Sequence, residues 1–262
     1  MPFSDRQPHS RLTWFAAAGV ALMIALLCIA FPLEAAAFNR SNAVPYSCLN
    51  HLTSELGFPF ASPSTWLFDI SLTLTGVLVL PALYAVQRRL KTHAATTCGC
   101  TAFLTLTVLG LYGLSQDLKH SPDIPAHFLI IHTALTLVFF LGWLLSTALF
   151  TRAFLRQGSH PTPRLMATIS LLCFLVGPVT LIISAFNHRT EAAFLSDLRS
   201  PAFRAQLQVP TTAPTLVLWF DTHRPHLWPT ALLEWCIIWS SMLWFAAAIL
   251  FLWTTPRTRP HA

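Results

Sequence analysis

The sequence predicts an all-α membrane protein, a bundle of six transmembrane helices with both termini in the cytoplasm. Of its 262 residues, 54% are hydrophobic and only 10% are charged, whereas soluble domains carry about a quarter charged residues. Six apolar stretches approach the length of about 20 residues that a helix needs to cross a membrane. The basic residues between them are concentrated in alternate connections, which indicates a fixed orientation.

The predicted spans are separated by connections that carry most of the charge. No internal repeat or low-complexity tract is evident, and residues 1–262 are predicted to form a single domain. Residues 188–230 form a long outer loop before the last span. The six spans are predicted at about 12–33, 66–86, 98–116, 128–150, 165–187 and 231–253.

The first span has two interpretations. Arg6 and Arg11 precede an apolar run that ends in Ala35-Ala36-Ala37, which resembles a signal peptide with a small-residue cleavage site. The run is about 20 residues long, whereas the apolar region of a signal peptide has about 7–15. A retained helix is therefore favoured, and removal of residues 1–37 remains the alternative.

The second span contains a carboxylate. Asp69, Thr73 and Gly76 are spaced by four and three residues, so they share one stripe of a helix. Such a stripe suits packing against a neighbouring helix through an interhelical hydrogen bond. It also suits a ligand site, and both roles remain open.

The later spans are less regular. His132 lies within span four, and Gly177-Pro178 interrupts span five near its middle, which predicts a kink because proline lacks a backbone donor. In the outer loop, residues Glu191–Leu207 intersperse apolar and charged side chains. This segment is either a helix in the head-group region or a loop folded over the bundle. Glu234 opens the last span.

The positive-inside rule sets the orientation. With a cytoplasmic N-terminus, the inner segments hold ten Lys and Arg in 45 residues, and the outer segments hold six in 86. Of the ten acidic residues, only Asp5 falls on the cytoplasmic side. The chain is therefore predicted to be a multi-pass protein of the cell membrane, the cytoplasmic membrane in a bacterium, with a titratable outer face.

Ionisable residues within spans point to a candidate site. A charge at the centre of a bilayer costs about 2.5–3.5 kcal/mol on insertion scales. Three such residues lie about one turn inside the outer ends of their spans, and three more lie in the outer connections at that level. They predict one shared polar pocket lined by Glu55, Asp69, Asp123, His127, His132 and Glu234.

Neither a metal site nor catalytic residues are identified. His127 and His132 are five residues apart, which does not place them on one helical face. His223 and His226 have a proline between them, and neither cluster matches H-E-x-x-H. No G-x-S-x-G motif selects a nucleophilic serine. We therefore predict no metal and no cofactor.

The entry to span two resembles that of a known family. Ser54-Glu55-Leu56-Gly57, then Trp66-Leu67-Phe68-Asp69 and an apolar run with Gly76, are similar to the second-span entry in the prokaryotic six-span "domain of unknown function 998" family. That family is distantly similar to the Frag/DRAM/Sfk membrane proteins. The resemblance implies a six-helix bundle with no agreed activity and, through the eukaryotic relatives, roles near lipids.

Other features extend the resemblance, and two differ from it. His127 before span four, and Glu234 and Trp244 in span six, also fit the family. Trp235 stands where family members usually have Arg, and the 188–230 connection is longer than theirs.

The leading functional hypothesis is a polar outer-leaflet pocket that binds a lipid head group or small ligand. The alternatives are a lipid-modifying enzyme, either a hydrolase or an acyl transferase, and a proton-coupled transporter. Membrane lipids are the expected partners. Nucleic acid is not, because the basic residues form short clusters and not one continuous face.

The orientation can be tested by topology mapping. A reporter that works only in the cytoplasm is expected to be active when it is fused after residue 262, because both termini are predicted to face the cytoplasm. A reporter that works only outside the cytoplasm is expected to be inactive there. Reporters inserted in 117–127 or 188–230 are expected to show the opposite pattern. A map that places these two connections on opposite faces would contradict the shared pocket.

Overall fold

The protein is a bundle of helices that form six membrane spans. The structure, a computed structural model, describes residues 11–41, 45–57, 64–118, 123–124, 126–157, 161–186, 200–201, 205, 211–212 and 227–255. Within these residues, six helical stretches are long and apolar enough to cross a membrane. The α-helices are α1 Arg11–Ser41, α2 Thr65–Leu78, α3 Leu80–Leu90, α4 His93–Asp117, α5 Ala126–Leu155, α6 Pro161–Phe186 and α7 Pro229–Thr254.

The all-α, six-span prediction is confirmed, with one large difference at a boundary. The first helix continues to Ser41, whereas the apolar run predicted its end at residue 33. The predicted span ended before Glu34 because a charged residue lowers the hydropathy of the run. In the structure, the Glu34 side chain is fully buried in the bundle. Helix continuation depends on backbone hydrogen bonds, and an inward-facing carboxyl group does not interrupt them.

The second span is made of two helices. α2 and α3 meet at Val79, and Pro81 lies in the first turn of α3, where its missing N–H is tolerated. A Cβ added to Gly19 of α1 would overlap the carbonyl oxygen of Leu78, so α1 crosses directly over the break. In α6 the helix runs through Pro178, and the kink expected there remains a prediction.

The helices pack in a defined order around aromatic side chains. α4 packs against α2 and α5, α6 against α5 and α7, and α1 against α2, α3 and α7. In the core, the Trp143 ring lies 5.1 Å from Phe103, 5.3 Å from Trp244 and 5.4 Å from Phe245. The indole N–H of Trp244 donates to Ser170 Oγ at 2.7 Å, which joins α7 to α6.

The two ends of the bundle differ. At the loop end, α1, α4 and α6 finish and α2, α5 and α7 begin. There β1, Asp123–Ile124, pairs antiparallel with β2, Thr211–Thr212, so the 117–127 and 188–230 connections lie on the same side of the bundle. At the opposite, terminal end, the Arg89 guanidinium donates to the carbonyls of Thr255 and Leu252 at 2.5 and 3.0 Å. This caps the carboxyl end of α7.

Small residues bring α2 and α4 into close contact. A Cβ on Gly76 would overlap the Phe103 carbonyl oxygen and the Thr107 hydroxyl. The Thr107 hydroxyl also donates to the Thr73 carbonyl oxygen at 3.4 Å, between the two helices. The stripe predicted in span two therefore faces a neighbouring helix, as its packing role requires.

Substitution of Gly76 tests this close approach. Gly76→Ala is expected to lower the free energy of unfolding by about 1–3 kcal/mol, because the new methyl group meets rigid backbone of α4. Thermal unfolding in detergent measures the change. Gly142→Ala is the matched control, since its Cβ would lie 3.2 Å from Ala102 Cβ and 3.3 Å from the Cys98 oxygen. Equal stability of the two variants would contradict the packing.

Candidate functional site

A loop between α1 and α2 folds over the start of α7. The Trp228 backbone N–H donates to the Leu49 oxygen at 2.9 Å, and the Trp235 indole N–H donates to the His51 oxygen at 3.3 Å. Trp235 thus holds this loop to the bundle. The loop contains a short 3₁₀ helix, η1 Thr53–Gly57, which is almost entirely buried.

The carboxylate of Glu234 lies beneath η1. Its Oε2 accepts hydrogen bonds from the Thr53 hydroxyl at 2.8 Å and from the Ser54 backbone N–H at 3.3 Å. The side chain is only 5% exposed. The Thr53 backbone N–H also interacts with this carboxyl group, and no described side chain donates a hydrogen bond to the second oxygen, Oε1.

Glu55 is buried in the same loop. Its Oε1 accepts the Leu52 backbone N–H at 2.9 Å, which closes the first turn of η1. The Glu55 and Glu234 carboxyl groups are close enough to interact electrostatically. Glu55 thus supports η1 and also adds negative charge beside Glu234.

Tyr46 packs within the same loop. Its hydroxyl donates to the Leu52 oxygen at 2.7 Å, and its ring lies 4.8 Å from His51 and 5.5 Å from Phe38. Burial raises the pKa of Tyr46 well above its ordinary value, and the negative charges of Glu55 and Glu234 raise it further.

A pocket begins under this loop and extends into the bundle. It has about 630 Å³ of empty space, counted with its open side, and side chains from α1, α2, α4, α5 and α7 line it. Most of these are apolar. We call its polar entrance the mouth, formed by Thr53, Ser54, His132 and Glu234.

The inner part of the pocket contains three side chains with hydroxyl groups. Thr75, Thr136 and Ser241 line it. Ser241 Oγ donates to the Ile237 oxygen at 2.6 Å. The Thr75 and Thr136 hydroxyls have no hydrogen-bond partner in the part of the chain that the structure describes. Ser241 lies seven residues beyond Glu234, about 10 Å further along α7.

A second group of acidic residues, the carboxyl cluster of Glu34, Asp69 and Asp117, lies at the loop end but does not line the pocket. The Ser64 hydroxyl donates to Glu34 Oε2 and the Thr65 hydroxyl donates to Asp117 Oδ2, both at 3.1 Å. Asp69 is 4% exposed and lies against Gly113 of α4, where any side chain would overlap its carboxylate.

The structure divides the residues predicted for one shared pocket. Glu234 and His132 line the pocket, and Glu55 lies beside its mouth. Asp69 belongs to the carboxyl cluster. His127 is exposed at the start of α5, and Asp123 lies in β1, with its side chain outside the described part. Their role in ligand binding remains a prediction.

Sequence reasoning missed three residues at this end. Glu34 was overlooked because the first span was ended one residue before it, although a carboxylate next to an apolar run was a usable signal. Asp117 was assigned only to the connection. Thr53 gave no signal, since a hydroxyl group in a loop is common.

The histidine clusters considered for metal binding are only partly described. His223 and His226 lie outside the described residues, as does most of Glu191–Leu207. Within the described part, no three His, Cys, Asp or Glu side chains are grouped so as to hold a metal ion.

Comparison with known proteins gives a family match. Residues 23–250 match the model of the family described as "Protein of unknown function (DUF998)". No curated protein matches the chain, and no solved structure does.

The surroundings of Tyr46 predict its titration. An exposed tyrosine has a pKa of about 10. Tyr46 is expected to stay protonated to a higher pH than that. Because the unfolded chain loses this proton first, the contribution of Tyr46 to stability is lost as the pH rises above about 10. Tyrosinate absorbance of the protein, minus that of Tyr46→Phe, isolates this group. A Tyr46 component that titrates near 10 would contradict the buried placement.

Proposed function

The chain belongs to the DUF998 family of proteins of unknown function, and we propose that this multi-pass membrane protein binds a lipid or similar amphiphile in its loop-end pocket. The observation that carries the proposal is the distribution of polar groups along the pocket. The mouth holds a carboxylate, an imidazole and two hydroxyl groups, whereas the interior is lined mainly by apolar side chains.

The lining of the pocket supports a small-molecule ligand. Sites for such ligands combine apolar walls with a few polar groups that fix orientation. This pocket has both kinds of lining. An amphiphile would place its head at the mouth and its chain between Phe31, Leu106 and Phe139.

The helix arrangement places the pocket towards the loop end. α5 and α7 pack ring against ring at Trp143, Trp244 and Phe245. Closer to the loop end, side chains of both helices line the pocket, among them Thr136 of α5 and Glu234 of α7.

A lipid-modifying enzyme remains the second candidate because Ser54, His132 and Glu234 line one pocket. These residue types can act as nucleophile, base and carboxylate. Among the described residues, however, the Ser54 hydroxyl makes no hydrogen bond to either of the other two. Binding therefore fits the geometry better than catalysis does.

Photolabelling tests the binding proposal. The probe is hexadecanol with a diazirine near the middle of its chain, added to the protein in phosphatidylcholine vesicles. Peptide mass spectrometry is expected to find label on inward-facing residues such as Leu72, Leu106 and Phe139, because the chain would lie among them. Thr136→Phe is expected to reduce this label by filling the pocket.

Thr133→Phe is the matched control. Thr133 lies on the same helix but is exposed and does not line the pocket, so its replacement is expected to leave the label unchanged. Label confined to membrane-facing residues such as Leu137 and Leu141, and equal in both variants, would contradict the proposal.

A further inference from the structure

We propose that the ligand of this pocket is an amphiphile with an amine head, recognised by Glu234. This inference rests on the proposed function and specifies its ligand class. The observation that points to a ligand is the carboxyl group of Glu234, which lines the pocket and whose Oε1 receives no hydrogen bond from a described side chain.

Glu234 presents an acceptor without a matching donor. Its Oε2 already receives the Thr53 hydroxyl and the Ser54 N–H, the Thr53 backbone N–H also interacts with the carboxyl group, and no described side chain donates to Oε1. A buried carboxylate is stable only when its oxygens are hydrogen-bonded or paired with a cation. An ammonium group carries three donors and a positive charge, so it supplies both.

The mouth disfavours an anionic head. Glu55 adds a second carboxyl group beside Glu234, and a phosphate placed there would meet like charge, which is unfavourable in a buried site. The Thr53 hydroxyl and the Ser54 backbone N–H already donate to Glu234. The other polar groups of the mouth are the Ser54 hydroxyl and His132, whose ring lies 5.7 Å from that of Phe128.

The pocket interior suits an apolar chain. Its walls are mainly apolar side chains, among them Leu72, Leu106 and Phe139. A saturated chain would contact these residues while the head lies at the mouth.

Competition against the photolabel tests the head group. Hexadecylamine, hexadecanol and hexadecyl phosphate share one chain and differ only in the head. In the native protein, the amine is expected to displace the pocket label at a concentration about tenfold or more below that of the phosphate, with the alcohol between them.

Two variants assign the preference to Glu234. Glu234→Gln keeps an acceptor oxygen but removes the charge, so the advantage of the amine is expected to fall about tenfold. Asp69→Asn removes another buried carboxylate that does not line the pocket, and the ranking is expected to remain. An unchanged ranking in Glu234→Gln would overturn the assignment.

The native protein gives a result that does not depend on the variants folding. A phosphate that competes as well as the amine would overturn this inference while the binding proposal stands. Failure of all three compounds to displace the pocket label would overturn both.

Discussion

The arrangement of this bundle depends on the cost of exposing a carboxyl group to hydrocarbon. That cost is about 2.5–3.5 kcal/mol for a charge at the bilayer centre, so an acidic residue on a span must face protein or water. Glu34, Asp69 and Glu234 lie on three different helices, and each is nearly fully buried. Their inward direction restricts the rotation of α1, α2 and α7 about their axes.

Close and loose packing then separate two environments at the loop end. Glycines allow α2 and α4 to approach until Asp69 lies directly against Gly113, which leaves no space for a ligand beside that carboxylate. α5 and α7 meet at Trp143, Trp244 and Phe245. The pocket lies closer to the loop end, where side chains of both helices, Glu234 among them, line it. Similar acidic residues thus acquire different roles from the spacing of the helices around them.

The sequence predicts the spans because length and hydropathy are local properties. It also predicts which residues lie at the loop end, since the rise of a helix is fixed. It cannot separate Asp69 from Glu234, because that separation depends on which helices are neighbours and on their rotation. Glu34 was missed because an apolar run ended before the helix did. The contact of Thr53 with Glu234 joins residues 181 positions apart, and no local pattern encodes it.

The first helix forms part of the pocket, which bears on whether it is removed. One side of the pocket is lined by Met23, Leu27 and Phe31. The same helix continues through Ala35–Ala37. Cleavage by a peptidase at those alanines would remove one wall of the pocket and would also remove Glu34. The pocket would then open to the lipid tails of the bilayer. A binding site of the proposed kind therefore includes the N-terminal segment.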